Sequence, residues 1–192
     1  LSYSLAVEAL MPELEIPRRG TMIRMICAEL NRIASHLVAF GTYGLDIGAF
    51  TPFFYAFRER EWIQALFEKI CGARLTYSYI RIGGVFNDTP PGWLREVADF
   101  CDVFEEKWQE YYDLLIENHI FVQRTANVGV ITAEMAYDFG LTGPMLRGSG
   151  VDYDLRRDGE ERCTEMYDGY AFEVICQVNG YYPSDHDYPP VP

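Results

Sequence analysis

A chain of 192 residues with 49% hydrophobic and 23% charged side chains can bury a core of its own, which excludes a disordered or collagen-like class. Sixteen Lys and Arg against 29 Asp and Glu leave a net charge of −13, which argues against a grip on nucleic-acid phosphates or on an anionic bilayer. The excess is uneven: residues 1–150 carry 13 basic and 19 acidic groups, residues 151–192 carry 3 and 10. The chain starts at Leu1 with no basic, apolar leader, so it reads as part of a longer protein.

Up to residue 120 the apolar residues recur at helical spacing. Ile23, Ile26, Cys27, Leu30, Ile33, Ala34, Leu37 and Val38 form a stripe opposite Arg24, Arg32 and His36, with Thr21 as the expected N-cap. Leu37 to Phe57 then holds one charged residue, Asp46, over 21 positions, long enough to cross a bilayer. Gly41, Gly44, Gly48, Pro52 and the roughly 2.5–3.5 kcal/mol cost of a carboxylate at a helix centre argue against a span. The expectation is a helix, a glycine turn and a second helix inside an assembly, with the acid in apolar surroundings. Pro52 to Ile70 reads as that second helix, with Arg58, Glu59, Arg60 and Glu61 facing out. Leu94, Val97, Cys101, Phe104, Trp108, Tyr111 and Leu115 alternate gaps of three and four, which predicts a third long helix and a bundle. From Asn118 the apolar runs shorten (Val128 to Ile131, Phe172 to Ile175) among glycines, so loops, short helices and a strand pair are expected. Gly180 to Pro192, with four prolines, can continue neither a helix nor a central strand.

Five cysteines, 44, 30, 62 and 13 residues apart with no C-x-x-C pair, make a disulfide framework or a metal site held by this chain alone improbable and fit a reducing compartment. Gly148-Ser149-Gly150 lacks the spacing of a nucleophile elbow, and neither Arg81-Ile82-Gly83-Gly84 nor Leu146-Arg147-Gly148 has dinucleotide or P-loop spacing. Val38, Thr42 and Asp46, spaced i, i+4, i+8, share one helix strip, and Phe53 and Phe54 follow the turn. A carboxylate and a hydroxyl beside two phenyl rings suit a flat ring bearing carbonyl oxygens, such as a quinone. Spacing leaves a second reading open, in which Asp46 caps the next helix and the rings are core.

Four runs resemble one family. Glu29 to Leu37 (ELNRIASHL), Thr51 to Glu61 (TPFFYAFRERE), Tyr79 to Val85 (YIRIGGV) and Leu141 to Val151 (LTGPMLRGSGV) are similar, in the same order, to the quinone-chamber D-subunit of NADH-quinone oxidoreductase, respiratory complex I. The resemblance covers about residues 1–174, the middle of that family's chain; residues 175–192 diverge and are expected to be disordered.

It implies a mainly α helical-bundle fragment of the nickel–iron hydrogenase large-subunit superfamily with an irregular C-terminal part. It implies an enzyme role only within the multisubunit complex, the fragment alone being inactive. Electrons would pass to quinone from a [4Fe–4S] cluster in the neighbouring B-subunit, coupled to proton translocation, at the cytoplasmic face of the bacterial inner membrane. This chain would hold no cofactor or metal itself, with quinone as substrate and the other peripheral-arm subunits and the membrane arm as partners.

By the same resemblance Asp46 is catalytic, pairing with a headgroup-binding His upstream of Leu1; Val38, Thr42, Phe53 and Phe54 line the quinone chamber, and Arg74 and Thr76 lie near the cluster. Thr76 stands where many members carry a His thought to couple the cluster's potential to pH. The alternatives are a membrane-bound nickel–iron hydrogenase large subunit, which needs two C-x-x-C pairs, and a non-catalytic helical scaffold.

Overall fold

The computed structural model describes residues 1–159, 166 and 167. Contacts divide the chain into two compact units, Leu1–Val122 and Gln123–Pro192. The described residues are mainly α-helical, as expected. The expected features in Phe172 to Ile175 and in the tail from residue 175 lie outside them.

In the first unit a short helix, α1 (Ser2–Ala9), precedes α2 (Arg18–Asp46), α3 (Thr51–Cys71) and α4 (Trp93–Tyr111). The apolar stripe of α2 is buried through Ile23, Cys27, Leu30, Ala34 and Leu37 against Ile63, Leu66, Phe67 and Ile70 of α3, with Trp93, Val97 and Phe100 of α4 completing the core. Burying such faces is the main drive holding the helices together. The Trp93 indole N–H donates to the Leu66 carbonyl at 2.9 Å, satisfying the polar end of a fully buried ring. Helix α4 ends in a π-helical turn, Tyr112–Ile116, which drops Leu115 into the interior.

Several local expectations shift. Helix α2 begins after Pro17, so Thr21 lies inside it and its N–H donates to the Pro17 carbonyl. The helix runs unbroken through Gly41 and Gly44, and the turn falls at Gly48, whose φ of 93° a side chain would resist. The two helical glycines instead allow close approach: a Cβ at Gly41 would lie 3.1 Å from the Phe53 Cα, and one at Gly44 3.2 Å from the Ala49 carbonyl oxygen. The strand pair is a two-residue hairpin in the first unit, β1 (Ile80–Arg81) and β2 (Gly84–Val85), with Ile80 opposite Val85. Among the described residues after 118 there is no strand.

Two groups expected to face out are buried. Arg24, on the polar side of the α2 pattern, is 1% exposed and makes a bidentate ion pair with the fully buried Glu8 of α1. It also donates to the Gly84 carbonyl at 2.7 Å, and the Gly83 N–H donates to Glu8 at 2.7 Å, so this pair ties α1, α2 and the hairpin together. Glu59 is buried and accepts from the Tyr111 hydroxyl and from Arg58. The predicted α4 stripe is half right: Val97 and Tyr111 are buried, whereas Leu94, Cys101 and Trp108, seven apart, are exposed because the buried arc centres on Trp93, Phe100 and Tyr111.

The second unit holds the short helices α6 (Ala133–Asp138), α7 (Gly143–Gly148) and α8 (Leu155–Asp158), while α5 (His119–Thr125) crosses the division. Thr132 caps α6 by accepting from the Met135 N–H, and Asp154 caps α8 by accepting from the Arg156 N–H.

Candidate functional site

Helices α2 and α3 meet at one corner at Gly41, beside Thr42 of the strip. Phe53 lies over Gly41, one residue from Thr42, and its ring packs edge-on to Phe54 (5.8 Å) and at 30° to Phe57 (4.2 Å). Phe53 is partly buried, but Phe54 is 67% exposed and presents its ring outward. The Thr42 hydroxyl donates to the Val38 carbonyl at 2.8 Å, a bond within the helix, and the residue is exposed, so its oxygen can still accept a hydrogen bond.

Asp46 is the last residue of α2 and is exposed in this chain, so the expectation of an acid in apolar surroundings is not met here. Nor does it cap α3, whose N-cap is Phe50 without a side-chain bond. A carboxylate at a helix C-terminus faces the negative end of the dipole, so nothing in its own helix stabilises the charge.

The remaining residues singled out from the sequence lie at a second place. A cavity of about 450 Å³ between α2, α3 and the segment after Gly72 is lined by Val38, Arg74 and Thr76 together, along with Arg60, Gln64 and Tyr77. Val38, grouped from the sequence with the corner, therefore belongs to both. Arg74 pairs with Glu61 and with Glu68 at 3.0 Å, which holds its already high pKa higher still. Thr76 is exposed and sits at φ 52°, a left-handed conformation that a β-branched side chain tolerates poorly. The Tyr77 ring stacks on Phe67 at 3.9 Å and donates its hydroxyl to Asn31 at 2.5 Å.

Sequence reasoning missed Arg60, Gln64 and Tyr77. Arg60 was hidden in the charged run 58–61, which reads as a solvated face; only helical phase against the buried Ile63 and Phe67 could have turned it inward. The Arg–Gly runs bind their own chain: Arg147 pairs with Asp154 at 3.0 Å, and the Ser149 hydroxyl donates to the Met145 carbonyl. Among the described residues Cys27 is buried, with its thiol pushed up to about 12 by desolvation, and no cluster of three or more His, Cys, Asp or Glu side chains gathers. No helix among them is long and apolar enough to cross a membrane.

The family model described as respiratory-chain NADH dehydrogenase, 49 Kd subunit, matches residues 46–182. The NADH-quinone oxidoreductase D-subunit of Chlorobaculum tepidum is 55% identical over 158 residues, covering 82% of this chain and 39% of the relative. The protein of that name from Chlorobaculum parvum is 55% identical over 174 residues (91% and 42%), and that from Campylobacter jejuni serotype O:6 is 55% identical over 157 residues (82% and 38%). The chain thus spans about two fifths of the length of these curated relatives. A match of this extent and identity, on a mainly helical chain, places the chain in the 49 kDa subunit family of the respiratory-chain NADH dehydrogenase.

Proposed function

We propose that this chain walls part of the quinone chamber of an NADH-quinone oxidoreductase and helps deliver electrons from a [4Fe–4S] cluster in a neighbouring subunit to quinone, in a complex that couples the reaction to proton translocation. The observation that carries the reading is the α2–α3 contact, where Phe53 lies against Gly41, the neighbour of Thr42, and packs edge-on to the exposed Phe54 ring, while Asp46 follows Thr42 one turn later on α2 and is itself exposed. Quinol formation takes up two electrons and two protons, so the site needs a flat apolar face for the ring and a proton-handling group near its oxygens. Phe54 offers the face, with Phe53 behind it. Asp46, bound to no hydrogen-bond donor among the described residues, is available to orient a headgroup ligand or pass it a proton. Arg74 and Thr76, on the second cavity, belong to the side facing the cluster. The chain would act peripherally, on the cytoplasmic face of the membrane.

The test is Asp46→Asn in the full complex, which keeps the shape and removes the ionisable group. Quinone reductase activity is expected to fall by roughly a hundredfold, while NADH still reduces the cluster at the wild-type rate. Turnover equal to wild type would remove Asp46 from the mechanism.

A further inference from the structure

Arg60 is a cation that this chain's own contacts leave incomplete. Its Nε is buried without a hydrogen-bond partner. One terminal nitrogen donates to the Gln64 amide oxygen at 2.7 Å, and the guanidinium lies 5.3 Å from the centre of the Phe57 ring. The nearby carboxylates are already engaged: Glu59 and Glu110 by Arg58, Glu61 and Glu68 by Arg74. Arg60 forms no ion pair among the described residues, yet it is only partly exposed. A half-desolvated guanidinium with an orphan donor is an unfavourable arrangement unless an acceptor reaches it.

The surroundings favour one kind of acceptor. Arg60 lines the cavity of about 450 Å³, room for the tip of a loop and one or two side chains. Asn31, Ser35 and Tyr77 add polar groups to its wall, and the strained Thr76 stands in the same wall. A free small anion is disfavoured by the net charge of −13, whereas a carboxylate carried on a docked chain is held there by the rest of its interface. An unpaired positive charge calls for a carboxylate rather than a carbonyl, and the planar guanidinium can take it in bidentate fashion.

We propose that this cavity is the socket for a carboxylate-bearing loop of the neighbouring, cluster-holding subunit, with Arg60 as its ion-pair partner. The proposal rests on the reading above that this chain sits beside that subunit.

Photo-cross-linking from p-benzoylphenylalanine placed at Ser35, an exposed residue of the cavity wall, tests it in the assembled full-length complex. The expected product joins this chain to the neighbouring subunit within a few residues of an Asp or Glu. A cross-link to this chain's own residues, or to a segment without an acid, overturns the proposal. In parallel, Arg60→Gln should lower retention of the neighbouring subunit about tenfold after washing in about 0.5 M salt, with Arg60→Lys, which keeps the charge but not the planar fork, falling between it and wild type. Retention equal to wild type in Arg60→Gln also overturns it. If Arg60→Gln does not assemble, the cross-link in the otherwise unaltered protein decides alone. Normal turnover in Asp46→Asn would sink the quinone-site reading without moving the cross-link, so the two failures are distinguishable.

Discussion

Asp154, 4% exposed, caps α8, accepts from the Arg156 guanidinium at 2.8 and 2.9 Å and pairs with Arg147. The Arg156 hydrogen bond, outweighing the cost of burial, holds its carboxyl at about 2, below the ordinary 3.8. A carboxyl depressed on folding contributes stability that is complete above its unfolded value and disappears as pH falls through the folded one. The contribution is therefore full at neutral pH and lost between about 4 and 2, and a shift of this size corresponds to about 2 kcal/mol. Asp154→Asn should accelerate amide hydrogen exchange in α7 and α8 roughly 30-fold at pH 7, with the gap to wild type closing across that acid window. No difference at pH 7 would mean that the ion pairs offset only their own desolvation.

At the scale of elements, the α2–α3 pair depends on what is missing from Gly41 and Gly44. Glycine in a helix interior costs about 1 kcal/mol relative to alanine, so propensity alone favours filling these positions. Packing opposes it: the added methyl at Gly41 would meet the Phe53 backbone at 3.1 Å, and backbone cannot swing aside as a side-chain tip can. Overpacking of this kind costs about 1–3 kcal/mol and wins. Gly41→Ala is expected to lower the thermal midpoint of the complex and, on the proposed quinone-chamber reading, by pushing Phe53 outward, to raise KM for quinone more than it lowers kcat. A stability gain would show that the helices separate freely at this point.

For the molecule as a whole, the first unit leaves Leu10, Phe50, Phe54, Leu94 and Trp108 exposed, at 84, 67, 67, 43 and 48%. Large apolar side chains in water disfavour the isolated state and invite association. The chain expressed alone should bind an apolar dye strongly and elute as aggregate, and co-expression with its complex partners should suppress both. A monomer with a sharp, cooperative thermal transition would count against this.

The sequence by itself determined the long helices, because apolar periodicity is local and survives without knowing the partner element: α3 was legible to within a residue at each end, whereas the short α1 was not. It also brought out the strip of Val38, Thr42 and Asp46, and the resemblance added Arg74 and Thr76. What only the tertiary structure decided was which polar residues face inward. Arg24, Glu59 and Arg60 carry ordinary surface patterns. The burial of Arg24 and Glu59 depends on groups 16 to 60 residues away, Glu8, Tyr111 and the hairpin carbonyls among them. The same holds for Gly41, whose meaning lies in the Phe53 backbone opposite it, and for Cys101 and Trp108 of α4, left exposed because the neighbouring helices cover a different arc. Periodicity reports that a helix has an apolar side; the angle at which that side meets its neighbours depends on contacts between segments distant in the chain.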